Sequence, residues 1–111
     1  MRLQFVDPGR FRTQLALEQA VLTDDGAGGH AESWTEIGWI FAALEPVRAQ
    51  MRFGGDQTLE SVTHTVTLRL RDDVASGMRF RRGDRHFRIL TVHDPDEGGR
   101  YLVCRTEEQG R

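Results

Sequence analysis

The chain has 111 residues, of which 38% are hydrophobic and 29% charged, with a net charge of −2. That length suits one small domain with a single core, and that composition argues against wholesale disorder. The longest apolar-plus-glycine run, Ile37 to Leu44, falls well short of the ~20 residues of a membrane helix, and MRLQFVDPGR lacks the apolar region of a secretory signal.

Phe11 to Leu22 is the first predicted strand. Leu15, Leu17 and Val21 share a parity, Arg12, Gln14 and Glu18 take the other, and Gln19 interrupts the apolar face. The segment DDGAGGHAES follows, rich in the residues that supply positive-φ turn positions, and reads as a hairpin tip. The return strand is Trp34 to Leu44. Ile37, Trp39, Phe41 and Ala43 fall on one face, with Trp34, Ile40, Ala42 and Leu44 on the other. Apolar residues on both faces call for cover on both sides, either in a barrel or against a neighbouring subunit. Glu45-Pro46 ends the strand, because proline has no ladder donor.

Residues 48–60 (RAQMRFGGDQTLE) fit neither a helix nor a strand. Connections of this length are usually functional or mobile. Gly54-Gly55 is a candidate hinge, and Met51 and Phe53 are apolar residues that either reach a partner or fold back onto the core.

The clearest element is SVTHTVTLRLR. Val62, His64, Val66, Leu68 and Leu70 alternate with Thr63, Thr65, Thr67, Arg69 and Arg71, the period-two pattern of a half-buried antiparallel strand. Met78 to Arg82 is a further strand, with a tight turn at Gly83-Asp84. Arg85 to Val92 follows. Phe87 and Ile89 sit on one parity and Leu90 and Val92 on the other, which predicts either a bulge near Ile89–Leu90 or a strand buried on both sides. The turn DPDEGG leads to a last strand, Tyr101 to Arg105, and 106–111 read as a tail. The expected fold is all-β: a small antiparallel barrel or sandwich of about six strands with one long inserted loop. It forms a single domain, with an N-terminal arm over 1–10, the loop at 48–60 and the tail.

Catalytic chemistry is hard to find. His30, His64, His86, His93 and Cys104 show neither CxxC nor HxxxH spacing, so no metal site is expected, and His64 reads as a packed strand residue. The lone Cys104 makes no internal disulfide, which suits a reducing compartment. There is no GxSxG, P-loop, GxGxxG or HExxH pattern. The carboxylate pairs Asp24-Asp25, Asp72-Asp73, Asp94/Asp96 and Glu107-Glu108 lie in predicted turns or the tail, where solvation explains them better than acid–base work. No catalytic residue and no cofactor is expected.

All 15 basic residues are arginine. Seven of them, Arg69, Arg71, Arg79, Arg81, Arg82, Arg85 and Arg88, face only Asp72, Asp73 and Asp84 between residues 69 and 88, a local excess of +4 (seven minus three). Such a stripe could follow a nucleic-acid backbone, meet acidic residues of a neighbouring subunit, or be a solvated outer face. Stacking aromatics are sparse there, and the parity of Phe80 and Phe87 places them in the core.

The order of segments resembles the phage head–tail joining (head-closure, or stopper) proteins of tailed phages and gene transfer agents. The residues that carry the likeness begin with Gly9-Arg10-Phe11-Arg12, Asp25-Gly26-Ala27-Gly28-Gly29 and Ser33-Trp34-Thr35. They continue through Trp39 to Glu45-Pro46 and Thr63-His64-Thr65-Val66-Thr67-Leu68-Arg69. Met78, Phe87-Arg88-Ile89 and Leu102-Val103-Cys104 complete the order. An extra residue between Trp39 and Glu45-Pro46 and a less basic opening depart from the family pattern.

The resemblance implies a β-barrel that assembles with itself as a ring, a hexamer or dodecamer, in the neck of a virion built in the bacterial cytoplasm. An adaptor lies above it, a tail terminator or tail tube protein below it and packaged double-stranded DNA in its channel, with no membrane partner. It also implies a channel-gating loop, here Arg48, Gln50, Met51, Arg52, Phe53, Gly54, Gly55, Asp56 and Gln57. The seven arginines are then candidate DNA or subunit contacts. The alternative is a free-standing β-barrel nucleic-acid-binding module that uses the arginine face.

Overall fold

The computed structural model describes residues 8–47 and 61–110. The expected gating loop, 48–57, and the N-terminal residues 1–7 lie outside them. A short 3-10 turn at Pro8–Arg10 precedes six strands: β1 (Thr13–Asp24), β2 (His30–Pro46), β3 (His64–Arg69), β4 (Arg79–Arg82), β5 (Arg85–His93) and β6 (Tyr101–Gln109). They form one closed antiparallel barrel in the order β1-β2-β3-β6-β5-β4, with β4 returning to β1. The all-β expectation is borne out, in its barrel form.

The interior follows the alternation read from the sequence. Leu15, Leu17, Ile40, Ala42, Val66, Leu68, Phe80, Phe87, Ile89, Leu102 and Cys104 meet there, with Met78 closing one side. Burial pushes the Cys104 thiol up to about 12, so it stays protonated and unreactive. The His64 ring packs edge-on against Phe87, with centroids 5.0 Å apart. Burial, the largest influence, lowers its pKa, and the nearby Arg85 charge adds to that against the opposing pull of Glu108. The bulge predicted near Ile89–Leu90 is present: Ile89 pairs with Thr106 and Thr91 with Arg105, so Leu90 is the extra residue. It turns Val92 back toward the core.

Three local expectations are corrected. The last strand does not stop at Arg105, since β6 pairs with β5 out to Gln109. Thr106, read as the start of a tail, is fully buried and its hydroxyl donates to the His64 carbonyl at 2.9 Å. A hydroxyl satisfied this way belongs inside a barrel, but nothing in the sequence announces its partner.

The second correction concerns β1. Its pairing with β4 spans only Ala16–Glu18, whereas its pairing with β2 continues to Asp24↔His30. Beyond Glu18 the hairpin leaves the barrel as a two-stranded arm. Val21 therefore needs no core partner and is 41% exposed. At the tip, Gly26 and Gly28 take positive φ, and Asp24 and Asp25 accept backbone N–H groups of the turn.

The third lies in β2. Leu17 pairs with Gly38 but Glu18 with Glu36, so Ile37 is an extra residue. Such a bulge reverses the phase of alternation. Trp34, expected opposite Trp39, therefore shares the outer face with it.

A candidate interaction surface on the outer wall

Strands β4, β1 and β2 lie side by side, and their outward residues form one network. Its centre is Glu18, only 7% exposed although the sequence assigns it to a solvent face. Arg79 Nε donates to Glu18 Oε1 at 2.6 Å, and Arg81 Nε to Oε2 at 2.9 Å. Arg81 also reaches Glu36 Oε1 at 3.3 Å. The register explains the geometry, because Glu18 sits opposite Arg79 and Ala16 opposite Arg81. Burial alone raises the Glu18 carboxyl, but hydrogen bonds and charge from the two arginines outweigh it, and the net displacement is downward.

Each arginine also stacks on a tryptophan. The Arg79 guanidinium lies 4.1 Å from the Trp34 ring centroid, and that of Arg81 5.6 Å from Trp39. Trp39 Nε1 donates to Glu36 Oε2 at 2.9 Å. The Trp39 ring is thus held on its polar edge and on one face, yet it stays 47% exposed. A large aromatic fixed before any partner arrives loses little freedom on binding, which is the character of an interface anchor. Phe41 (58% exposed) and Ile37 (40%) extend the apolar wall.

The wall borders a groove. β2 pairs with β3 only from Ala42 to Pro46, and where the two strands part a cavity of about 400 Å³ opens. Phe11, Trp39, Phe41, Arg69 and Arg71 line it, with Ile40 and Leu68 at its base. Arg71 is held by a bidentate pair with Asp73 at 2.9 and 2.8 Å.

The arginine stripe is not continuous. Arg69 and Arg71 sit at the β3 end beside the groove, whereas the other five lie on β5, beyond β6 in the barrel order, and on β4, one strand further. Four of the seven are committed to carboxylates of the same chain: Arg71 to Asp73, Arg79 and Arg81 to Glu18, and Arg85 to Glu108. Arg69, Arg82 and Arg88 are exposed. The turn carboxylates Asp94 and Asp96 accept backbone N–H groups from Gly99 and Gly98, a structural use. Among the described residues, no three His, Cys, Asp or Glu side chains gather into a metal-holding group.

Glu18, and with it the network, carries no mark in the sequence. The charge of the hairpin does. From Thr13 to Val47 the chain has six carboxylates and no arginine, so the β1–β2 hairpin is acidic throughout while the rest of the chain is basic.

The polar and aromatic features of this small closed barrel converge on one outer wall, across β4, β1 and β2. Comparison with known proteins supplies the family. Residues 6–109 match the family model of the phage head completion protein, and the chain belongs to that family. Its fold matches a chain from the virion of a native gene transfer agent particle, at 35% identity and a TM-score of 0.66, over 90% of this chain and 96% of that one. Protein SF1141 from Shigella flexneri 2a shares the fold at 19% identity and a TM-score of 0.70, over 96% of this chain and 99% of that one. No curated protein sequence matches. Membership in the family assigns the chain a structural head-completion role rather than an enzymatic one.

Proposed function

We propose that this chain is a head-closure subunit that forms a ring in the neck of a phage-like particle, below the portal and adaptor. The ring retains the packaged double-stranded DNA and receives the tail terminator or tail tube. The observation that carries this reading is the held, exposed Trp39 beside the exposed Phe41 on the barrel of a head-completion family member. A ring multiplies modest contacts, so a patch of this size per subunit suffices. In this reading the 48–60 segment supplies the channel-closing loop.

The alternative of a free-standing nucleic-acid module is weaker. Four of its seven arginines already serve carboxylates of their own chain, and the seven do not form one track.

Deleting the gene and imaging the particles tests the proposal. The expected result is DNA-leaking or tailless heads beside free tails. Normal tailed, DNA-filled particles from the deletion strain would remove the closure role.

A further inference from the structure

We infer that the β1–β2 arm of one copy seats in the Trp39–Phe41–Arg69 groove of the next copy, an inference that rests on the ring reading above. Three observations converge on a second copy as the occupant.

The first is the arm itself. Past Glu18 and Glu36 its two strands pair only with each other among the described residues, across Gln19↔Thr35 to Asp24↔His30. A lone two-stranded ribbon is marginal in water, and both its edges offer free backbone groups. It also exposes Leu22 (66%) and Val21 (41%). A partner surface would stabilise it.

The second is charge. The outer arm carries Asp24, Asp25 and Glu32 and no arginine. The groove carries Arg69 and Arg71, and Arg69 has no ion-pair partner among the described residues. An apolar, acidic ribbon thus faces an apolar, cationic groove. Both surfaces belong to the same sequence, which favours a copy of this chain over an adaptor or tail protein.

The third is geometry. The tip lies beyond His30, nine residues along β2 from Trp39, roughly 30 Å of extended strand. A straight ribbon cannot fold back onto its own base, so arm and groove of one molecule cannot satisfy each other. Two different patches that complement each other between copies make a head-to-tail contact, which propagates until it closes as a ring.

The test uses the full chain with Leu22→Cys on the arm and Phe41→Cys in the groove, treated with a short bismaleimide. Buried Cys104 does not compete. The free protein at raised concentration and the assembled particles are both examined. The double variant is expected to give a ladder of covalent multimers. A mixture of the two single variants should stop at dimers, and each single variant alone should stay monomeric. Adding Arg69→Glu should reduce cross-linking roughly tenfold. A double variant that stays monomeric in both settings overturns the inference. So does linkage of the Leu22→Cys variant to a different particle protein, or a ladder indifferent to Arg69→Glu. The two readings fail separately. Leaking deletion heads without a ladder preserve the closure role and remove this contact. A ladder with intact deletion heads does the reverse.

Discussion

Phe87→Ala should destabilise the barrel by about 3–5 kcal/mol and lower its melting temperature by more than ~10 °C. Phe87 is fully buried and directly opposite Phe80 across the β4–β5 ladder. The His64 ring stands edge-on to it, and the Arg85 guanidinium lies 5.0 Å from its centroid. Removing the ring leaves a cavity that neighbours on closed strands cannot collapse into, because a closed barrel fixes its own circumference. Phe80→Ala should behave alike. Because the two rings touch the same space, the double variant should cost less than the sum. Urea and thermal unfolding measure this. A loss below about 1 kcal/mol would mean that these rings are not the centre of the core.

Glu18→Ala should cost about 2–3 kcal/mol, a large effect for a residue that reads as a surface carboxylate. The loss has two parts. The pairs with Arg79 and Arg81 disappear, and two partly covered guanidinium groups (17% and 28% exposed side chains) are left unmatched. The figure sits below that of a fully buried pair because the arginines keep some solvent. Glu18→Gln, which preserves shape, should lose less. The two variants also carry a pH signature. The folded pKa of Glu18 lies below its unfolded value, so its contribution is complete above the ordinary glutamate range, near pH 4. It declines as pH falls between the unfolded and folded values and is absent below the folded one. The stability difference between wild type and Glu18→Gln should therefore shrink on acidification below about pH 4.5. A difference that is constant with pH would show that the carboxylate charge is not what the arginines use.

These two residues mark the limits of what the sequence discloses. Phe87 is legible, as are Phe80, Val66 and Leu68, because strict alternation along a strand reports its inward face. The Ile89–Leu90 bulge is half legible: the switch of apolar parity fits either a bulge or burial on both faces, and the register with β6 decides for the bulge. Glu18 is not. A carboxylate in a strand reads as solvent-facing, and its partners lie 61 and 63 positions further on. The bulge at Ile37 is equally hidden, because apolar residues on both faces of β2 disguise a change of phase. The apolar outer face itself is visible, since Trp39 and Phe41 share a parity in the sequence and stand exposed on one wall of the barrel. The arginines are visible as a cluster along the chain but are divided in space, because β3 and β4 follow each other in sequence and not in the barrel. Thr106 escapes notice because a polar residue with a backbone partner inside a barrel resembles a frayed end.

The seam between β1 and β4 is the barrel's shortest ladder, three residue pairs from Ala16↔Arg81 to Glu18↔Arg79. It also joins parts of the chain more than 60 positions apart. Closing so large a loop for so few rungs makes this the natural last step of folding and the first place to unzip. Unzipping there turns a sealed cylinder into a curved open sheet while the other five ladders hold. A single carboxylate thus acts as an outer clasp of the cylinder, set over the one inner rung of the seam, Leu17 opposite Phe80.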